Sequence, residues 1–420
     1  MIPERHAYHP GVVTQAQFDL VVAGRGIVGS ACALAAGQLG LRTALVGRAP
    51  FQSTAAWDDR VYALAPAARG WLGTLKVERQ LDAHRLAPVL SMRIAEQPGS
   101  QPLELSSYSA AVPELATIVE SRELHRVLDL GISLQPRITV HDAEIDGCEF
   151  AAQHVRVTAR PAGTGKSGPS IQLQAPLVIA ADGSDSSMRR AAGLEGRSRD
   201  YGQRGVVARL ALARPHHGTA SQWFLGDSVL ALLPMPADSA RDREPSRIVS
   251  MVWSVDQARA EQLIQLDTLA LAREIGAACG EAAGPVEVLS APQSFPLRYF
   301  AADRLVAPRL ALVGDAAHLM HPLAGQGLNT GLLDAQALLA TLAVRESFLD
   351  PGDVRLLRRY ARARAEPIAR ILLLTDGLQR LFKTDNPLLG AIRSIGLGMI
   401  EGIPPVKRRL VEEAVASSVT

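Results

Sequence analysis

The chain has 420 residues, 47% of them apolar and 20% charged, with 44 basic side chains against 42 acidic ones. This is globular composition, and a formal net charge of +2 excludes bulk electrostatic attraction to nucleic acid. The length predicts two interleaved domains plus a terminal extension, enough to enclose a large ligand.

The three cysteines, Cys32, Cys148 and Cys279, are odd in number and far apart. They fit neither a disulfide framework nor a metal knuckle, so a reducing cytoplasm is the expected location. The opening sixteen residues, MIPERHAYHPGVVTQA, carry charge, Pro and His where a secretory signal needs an apolar run, and read as a leader. No window approaches the roughly 20 uninterrupted apolar residues of a bilayer span, so any membrane contact is expected to be peripheral.

In chain order, Phe18 to Ala23 (FDLVVA) reads as a strand, followed by glycines and then small and apolar residues to Gly40, a helix. Leu41 to Val46 (LRTALV) restores strand character. Together they predict a βαβ unit with parallel pairing. Pro88 to Ser107 and Val206 to Ser254 alternate as strands do and are assigned to one antiparallel sheet. Between them a helix near Arg122 to Leu130, a β-rich stretch from Ile138 to Leu173 and a buried strand at Leu177 to Ala181 belong with the first unit. Arg160 to Ser170 and Pro236 to Pro245 read as exposed loops. The GTGKS within the first is no phosphate loop, because Arg160 stands where that motif needs its first glycine. After Asp350 the periodicity is helical and rich in Arg.

Three motifs stand out. Gly24-Arg-Gly26-Ile-Val-Gly29 lies between a predicted strand and helix, as a dinucleotide fingerprint requires. Its glycines would allow a tight turn, pyrophosphate approach and close helix packing, and the helix N-terminus would offer free N–H groups to phosphate. In the middle of the chain, Leu177 to Arg189 is a buried strand ending in Asp182-Gly183-x-x-Ser-x-x-Arg; taken alone it is an ordinary Asp-Gly strand exit. The third and longest runs from Leu310 through Gly314-Asp315, His318, His321-Pro322 and Gly325-Gln-Gly-Leu-Asn329 to Gly331. It offers an Asp to accept from sugar or polyol hydroxyls, small residues that admit a flat ligand, and a helix start whose N–H groups would stabilise negative charge. His318-x-x-His321 has the look of a metal pair but lacks a third ligand and a helix face, so no metal is expected.

In this order and at these intervals the three motifs resemble the FAD-dependent aromatic hydroxylases typified by para-hydroxybenzoate hydroxylase. HPLAGQGLN after GDAAH is similar to the signature of their ubiquinone-biosynthesis branch. The likeness extends to Asp58 to Leu64, Ile118 to Leu124, Ala231 to Pro234 and Thr375 to Phe382, and so covers roughly residues 17 to 415. It implies an α/β fold in which a doubly wound, Rossmann-like FAD-binding domain (17–85, 111–200 and 296–345) carries an inserted antiparallel β-sheet substrate domain (86–110 and 201–295). A C-terminal helical extension (346–420) would follow.

By position the resemblance implies that Gly24, Gly26 and Gly29 contact the FAD pyrophosphate and that Arg60 lies near the cofactor. Asp182 and Gly183 would help bind FAD and NAD(P)H, and Gly314 with Asp315 would hold the ribityl chain. Pro322 would face the flavin ring, whose pyrimidine edge would meet Gly325, Gln326, Gly327, Leu328 and Asn329; Pro322, Gly325 and Asn329 would be the reacting environment. In that family NAD(P)H reduces the flavin, dioxygen adds at C4a, and the hydroperoxide passes an electrophilic oxygen to a phenol, so no side-chain general base is expected. The implied substrate is a polyprenylated phenol or quinol of ubiquinone biosynthesis. Its tail would need an apolar wall, for which Ala231 to Pro234 and Met251 to Ser254 are candidates beside their plain reading as sheet core. The segment from Lys407 to Val415 has the helical spacing of an interfacial helix; packing on its own domain is favoured over docking to the inner membrane or to a quinone-biosynthesis complex.

The sequence departs from the family at two positions. A carboxylate normally closes the second strand of the βαβ unit to bind the adenosine ribose, and here Gly47 and Arg48 stand instead. Ser121 stands where the family usually has Asn. An Arg at the strand end could suit a 2′-phosphate, but the Gly314-Asp315 motif calls for a flavin. Without a replacement, loss of a charge-assisted contact weakens FAD by roughly 1.5–3 kcal/mol, and a readily lost flavin is expected. Rival readings are an epoxidase or prenyl reductase of the same superfamily, or a non-catalytic scaffold that kept the fold. A tryptophan halogenase is disfavoured because Trp57, Trp71, Trp223 and Trp253 form no W-x-W pair.

Overall fold

The computed structural model describes residues 14–50, 57–96, 99–163, 169–237, 245–280, 283–322 and 325–383. Most of the GTGKS stretch and the whole Lys407 segment lie outside the described residues. A six-stranded sheet forms the centre, in the order Val306–Ala307, Leu310–Leu312, Val178–Ala180, Leu20–Ala23, Thr43–Val46, Ile138–His141. The last five pair in parallel, and Val306–Ala307 adds an antiparallel edge. Leu20–Ala23, Thr43–Val46, Val178–Ala180 and Leu310–Leu312 are buried at every position. That is why their sequences run apolar without alternating: both sheet faces are covered.

Helix Ile27–Gln38 covers one face and is buried over ten of its positions. Its Ala and Gly residues let the sheet and the helices Ser121–Ser133 and Gln326–Ala343 all approach it. Strand order reverses around Leu20–Ala23, with later strands on both sides of it. Such a switch point leaves a crevice at the carboxyl ends of the strands, where ligands bind in sheets of this kind.

A second, mostly antiparallel sheet is organised around the 17-residue strand Gly196–Leu212, which pairs with Gln293–Ala302 on one side and Ile248–Asp256 on the other. Register slips between Asp200 and Gln203, where Gly202 adopts φ +66°. The sheet is not wholly antiparallel, because Thr219–Leu225 pairs in parallel with Ser91–Ala95. Leu86–Val89, whose last two residues the alternation assigns to this sheet, pairs instead with Ala116–Glu120, which pairs on its other edge with Val61–Leu64 in a three-stranded sheet. One face of the large sheet buries Leu230, Leu232, Met251 and Trp253 together with residues of the helices Gln257–Leu263 and Thr268–Cys279. Leu233 and Met92 instead join Ile118, Val61 and Ala63 of the three-stranded sheet. Within Ala231 to Pro234, therefore, the alternate positions divide between sheet core and the side toward the three-stranded sheet.

Helix Val354–Lys383 packs along Gln326–Ala343. It buries Leu356, Leu357, Tyr360, Arg364, Ile368 and Leu372, a stripe repeating every three or four residues.

Candidate active site

Strand Leu20–Ala23 exits into Gly24 (φ +109°), where a Cβ would lie 2.1 Å from the carbonyl oxygen of Ala181. At Gly29 a Cβ would lie 1.9 Å from the carbonyl oxygen of Gly24. No other residue fits either position, so these two glycines are what let the helix begin against two strand ends. Gly26 differs: it is exposed, with nothing within 4 Å of its Cβ position. It N-caps the helix without any side-chain cap. The first-turn N–H groups that lack intrahelical partners therefore face an open surface suited to pyrophosphate.

Arg60 is placed by a pinned turn. The Asp58 carboxylate accepts from the N–H of Arg60 (3.0 Å) and of Arg122 (3.1 Å). The Ser121 N–H donates to the Arg60 carbonyl (2.8 Å). Buried Glu120 accepts from the Asp58 N–H and pairs with Arg85. The Arg60 guanidinium lies 5.5 Å from the ring centroid of Tyr62. Burial pushes the Tyr62 phenol up, and Arg60 pulls it back.

At the neighbouring strand end Gly314 (φ +58°) turns the chain into Asp315. The Asp315 side chain is solvent-accessible and yet deeply surrounded, as a residue on a cleft wall is. Desolvation pushes its carboxyl up, against the pull of His318 and Arg60. Arg60 thus acts on Asp315 and on Tyr62, and Asp315 on Tyr62: the three form one electrostatic neighbourhood. Helix Gln326–Ala343 opens beside it, because a Cβ on its N-cap, Gly325 (φ +63°), would lie 3.3 Å from that of Ala63. Among the described residues no side chain caps this helix either, and the N–H groups of its first turn, at Gln326, Gly327 and Leu328, are placed to hold an anionic edge. Half-buried Pro322 precedes it; Leu323 and Ala324 lie outside the described residues.

Asn329 has a different place. Its buried side-chain oxygen accepts from the Ala65 N–H (2.9 Å), and its amide donates to the carbonyls of Ala63 (2.9 Å) and Gly325 (3.2 Å). The side chain is spent on backbone, and it fixes the helix start against the strand that carries Tyr62. The Asp182 carboxylate likewise turns inward, accepting from the N–H of Ser187 (2.8 Å) and Met188 (3.2 Å). Its other oxygen is buried without a hydrogen bond among the described residues. Gly183 (φ +83°) has open space at its Cβ position. Arg189 ties this motif to the Gly314 turn, donating to the carbonyls of Ala316 and Ser184 (2.8 Å each) over the ring of Phe300.

Sequence reasoning missed the support beneath the turn. Asp334, wholly buried, accepts from the Gly314 N–H (3.2 Å), from His318 Nε2 (2.5 Å) and from Arg364 Nε (2.8 Å). Burial raises its carboxyl, but His318 and Arg364 outweigh burial and hold it below the ordinary value. The only signal in the sequence was an acid inside the apolar run GLLDAQALLA. Tyr360 adds a hydrogen bond to the Leu312 carbonyl (2.7 Å). The two histidines do not act as a pair: His318 is engaged by Asp334, whereas His321 packs edge-on against Tyr201. Burial pushes the His321 imidazole down to about 4.

Residues 17–374 match the protein family described as FAD binding domain. The chain is 31% identical over 404 residues to the ubiquinone hydroxylase UbiL of Rhodospirillum rubrum, covering 95% of this chain and 90% of that protein. It is 28% identical to the 3-demethoxyubiquinol 3-hydroxylase of Escherichia coli, over 96% of this chain and 100% of that one. Among solved structures, p-nitrophenol 4-monooxygenase PnpA of Pseudomonas putida superposes with a TM-score of 0.75 at 16% identity, over 96% of this chain and 98% of that one. Klebsiella pneumoniae HpxO, solved as an R204Q variant with FAD, gives 0.71 at 18% identity, over 95% of this chain and 99% of that one.

Proposed function

Since the chain belongs to the FAD binding domain family and is an FAD-dependent monooxygenase, we propose that it hydroxylates the aromatic ring of a polyprenylated phenol or quinol in ubiquinone biosynthesis. The observation that carries this reading is the grouping of Arg60, Tyr62 and Asp315, bordered by the helix start at Gly325 to Leu328. That grouping fits a flavin: an acid for the ribityl hydroxyls, N–H groups for the pyrimidine edge, and an open glycine turn for the pyrophosphate.

When bound and reduced by NAD(P)H, the flavin supplies the activation of dioxygen, one atom of which enters the ring while the other leaves as water. The protein's part is positional. Gly24 and Gly29 close the turn, leaving Gly26 to admit the phosphates, and Asp315 with Arg60 fixes the middle of the cofactor. The dipole of helix Gln326–Ala343 favours the anionic reduced ring. Asn329 serves through the backbone it holds, and Pro322 walls the reacting face. Asp182 orders the turn at Gly183, whose open side is available to FAD or NAD(P)H. A prenyl tail would run along the side of the large sheet that bears Leu233 and Met92. No described helix is long and apolar enough to cross a membrane, so we place any contact with lipid at the surface.

Incubation of FAD-loaded protein with NADPH, a short-tailed prenylphenol series and ¹⁸O-labelled dioxygen tests the reading by mass spectrometry. The expected product gains one labelled oxygen. NADPH oxidation that yields only peroxide with every prenylphenol would overturn it, and flavin binding without any NADPH oxidation would favour a scaffold.

A further inference from the structure

Gly47 ends strand Thr43–Val46 where dinucleotide-binding folds place the ribose carboxylate, and the structure shows why a side chain is excluded. A Cβ on Gly47 would lie 2.5 Å from the backbone nitrogen of Arg25 and 2.9 Å from its Cβ. The fingerprint turn is seated on Gly47, and any longer residue must lift it. Arg48 is turned away, paired with Glu144 at the surface.

The Arg25 side chain runs instead to helix Ser121–Ser133, where its guanidinium meets the Asp129 carboxylate at 3.2 Å. Ser121, His125 and Asp129 are spaced by four and so lie along one helix face. That face begins beside Arg60, whose carbonyl takes the Ser121 N–H. His125 lies among the charges of Asp129, Arg60, Arg25 and Asp58. Its Nδ1 and the Arg25 Nε are buried with no hydrogen-bond partner among the described residues. Asp129 keeps 31% side-chain exposure, and its second oxygen is not engaged by Arg25. An accessible carboxylate, held by a cation from the pyrophosphate turn itself and with its second oxygen not engaged by that cation, has the chemistry of a ribose site.

We infer that the adenosine ribose acceptor of this protein is Asp129, supplied from helix Ser121–Ser133 and oriented by Arg25, in place of the carboxylate missing at Gly47. This rests on the FAD reading above and reverses the expectation of a readily lost flavin, which assumed that nothing replaced that contact.

Apoprotein titrated with FAD by flavin fluorescence tests it. Asp129→Asn should raise the FAD dissociation constant about tenfold or more and leave that of FMN, which lacks the adenosine, unchanged. Removing one ribose hydroxyl, with 2′-deoxy- and 3′-deoxyadenosine FAD analogues, separates contact from mere support of the turn. One analogue should bind wild type weakly yet lose nothing further in Asp129→Asn. Gly47→Glu should weaken FAD, since the turn must move. Unchanged FAD affinity in Asp129→Asn, equal losses for FAD and FMN, additive losses with both analogues, or tighter FAD in Gly47→Glu would each overturn the inference. Wild-type apoprotein that binds no FAD would instead bring down the functional reading beneath it.

Discussion

His321 shows how one buried group can set a pH limit. It is 1% exposed, both ring nitrogens are buried without a hydrogen bond among the described residues, and its value falls from 6.5 to about 4. Below 6.5 the unfolded chain takes up a proton that the fold refuses, so stability present above 6.5 is lost as the pH falls toward 4, by about 3 kcal/mol in all. The thermal midpoint should therefore drop over this window, and His321→Asn should flatten the drop; an unchanged slope would show that the proton is taken up elsewhere. Asn329 teaches a related lesson. The family resemblance makes it a flavin contact, whereas its three hydrogen bonds go to Ala63, Ala65 and Gly325, so a motif residue can act by fixing the backbone around it.

The element that decides the geometry of the site is helix Gln326–Ala343. It starts against Ala63 of the strand that carries Tyr62, passes so close to the Gly314 turn that a Cβ on Gly331 would lie 3.0 Å from the Gly314 Cα, and presents Asp334 to that turn. The acid is balanced by Arg364 from a different helix. Removing one partner of such a buried pair costs about 3–5 kcal/mol, because the remaining charge is left uncompensated. Arg364→Leu should be destabilised by that amount in urea unfolding and should bind FAD more weakly through Gly314 and Asp315. A loss below about 1 kcal/mol, the scale of exposed ion pairs, would mean that His318 alone balances Asp334.

At the scale of the whole molecule, helix Val354–Lys383 joins the six-stranded sheet to the one built on Gly196–Leu212. Tyr360 and Arg364 support the parallel sheet and the turn above it, while Asp376 pairs with Arg199 of the long strand Gly196–Leu212. A chain ending at Asp353 would leave Asp334 without its arginine and uncover Leu339 and Leu342, which share a core cluster with Leu356, Leu357 and Tyr360. We expect it to lose cooperative unfolding and to bind FAD no better than an unfolded control; a sharp thermal transition in that truncated chain would show that the nucleotide unit folds without the helix.

The sequence by itself determined the βαβ start, the two strand exits at Asp182 and Gly314, and the long run to Asn329. Those features depend on local constraints, the turns only glycine can make and the unbroken apolar runs of covered strands, and local constraints are written in consecutive residues. Only the tertiary structure decided that Asn329 and Asp182 turn inward and that Asp334 answers to an arginine thirty residues on. It alone seated the fingerprint turn on Gly47 and gave Arg25 to Asp129 across 104 positions of chain. These are encounters between elements distant in sequence, set by how helices and sheets pack, and no spacing along the chain encodes them.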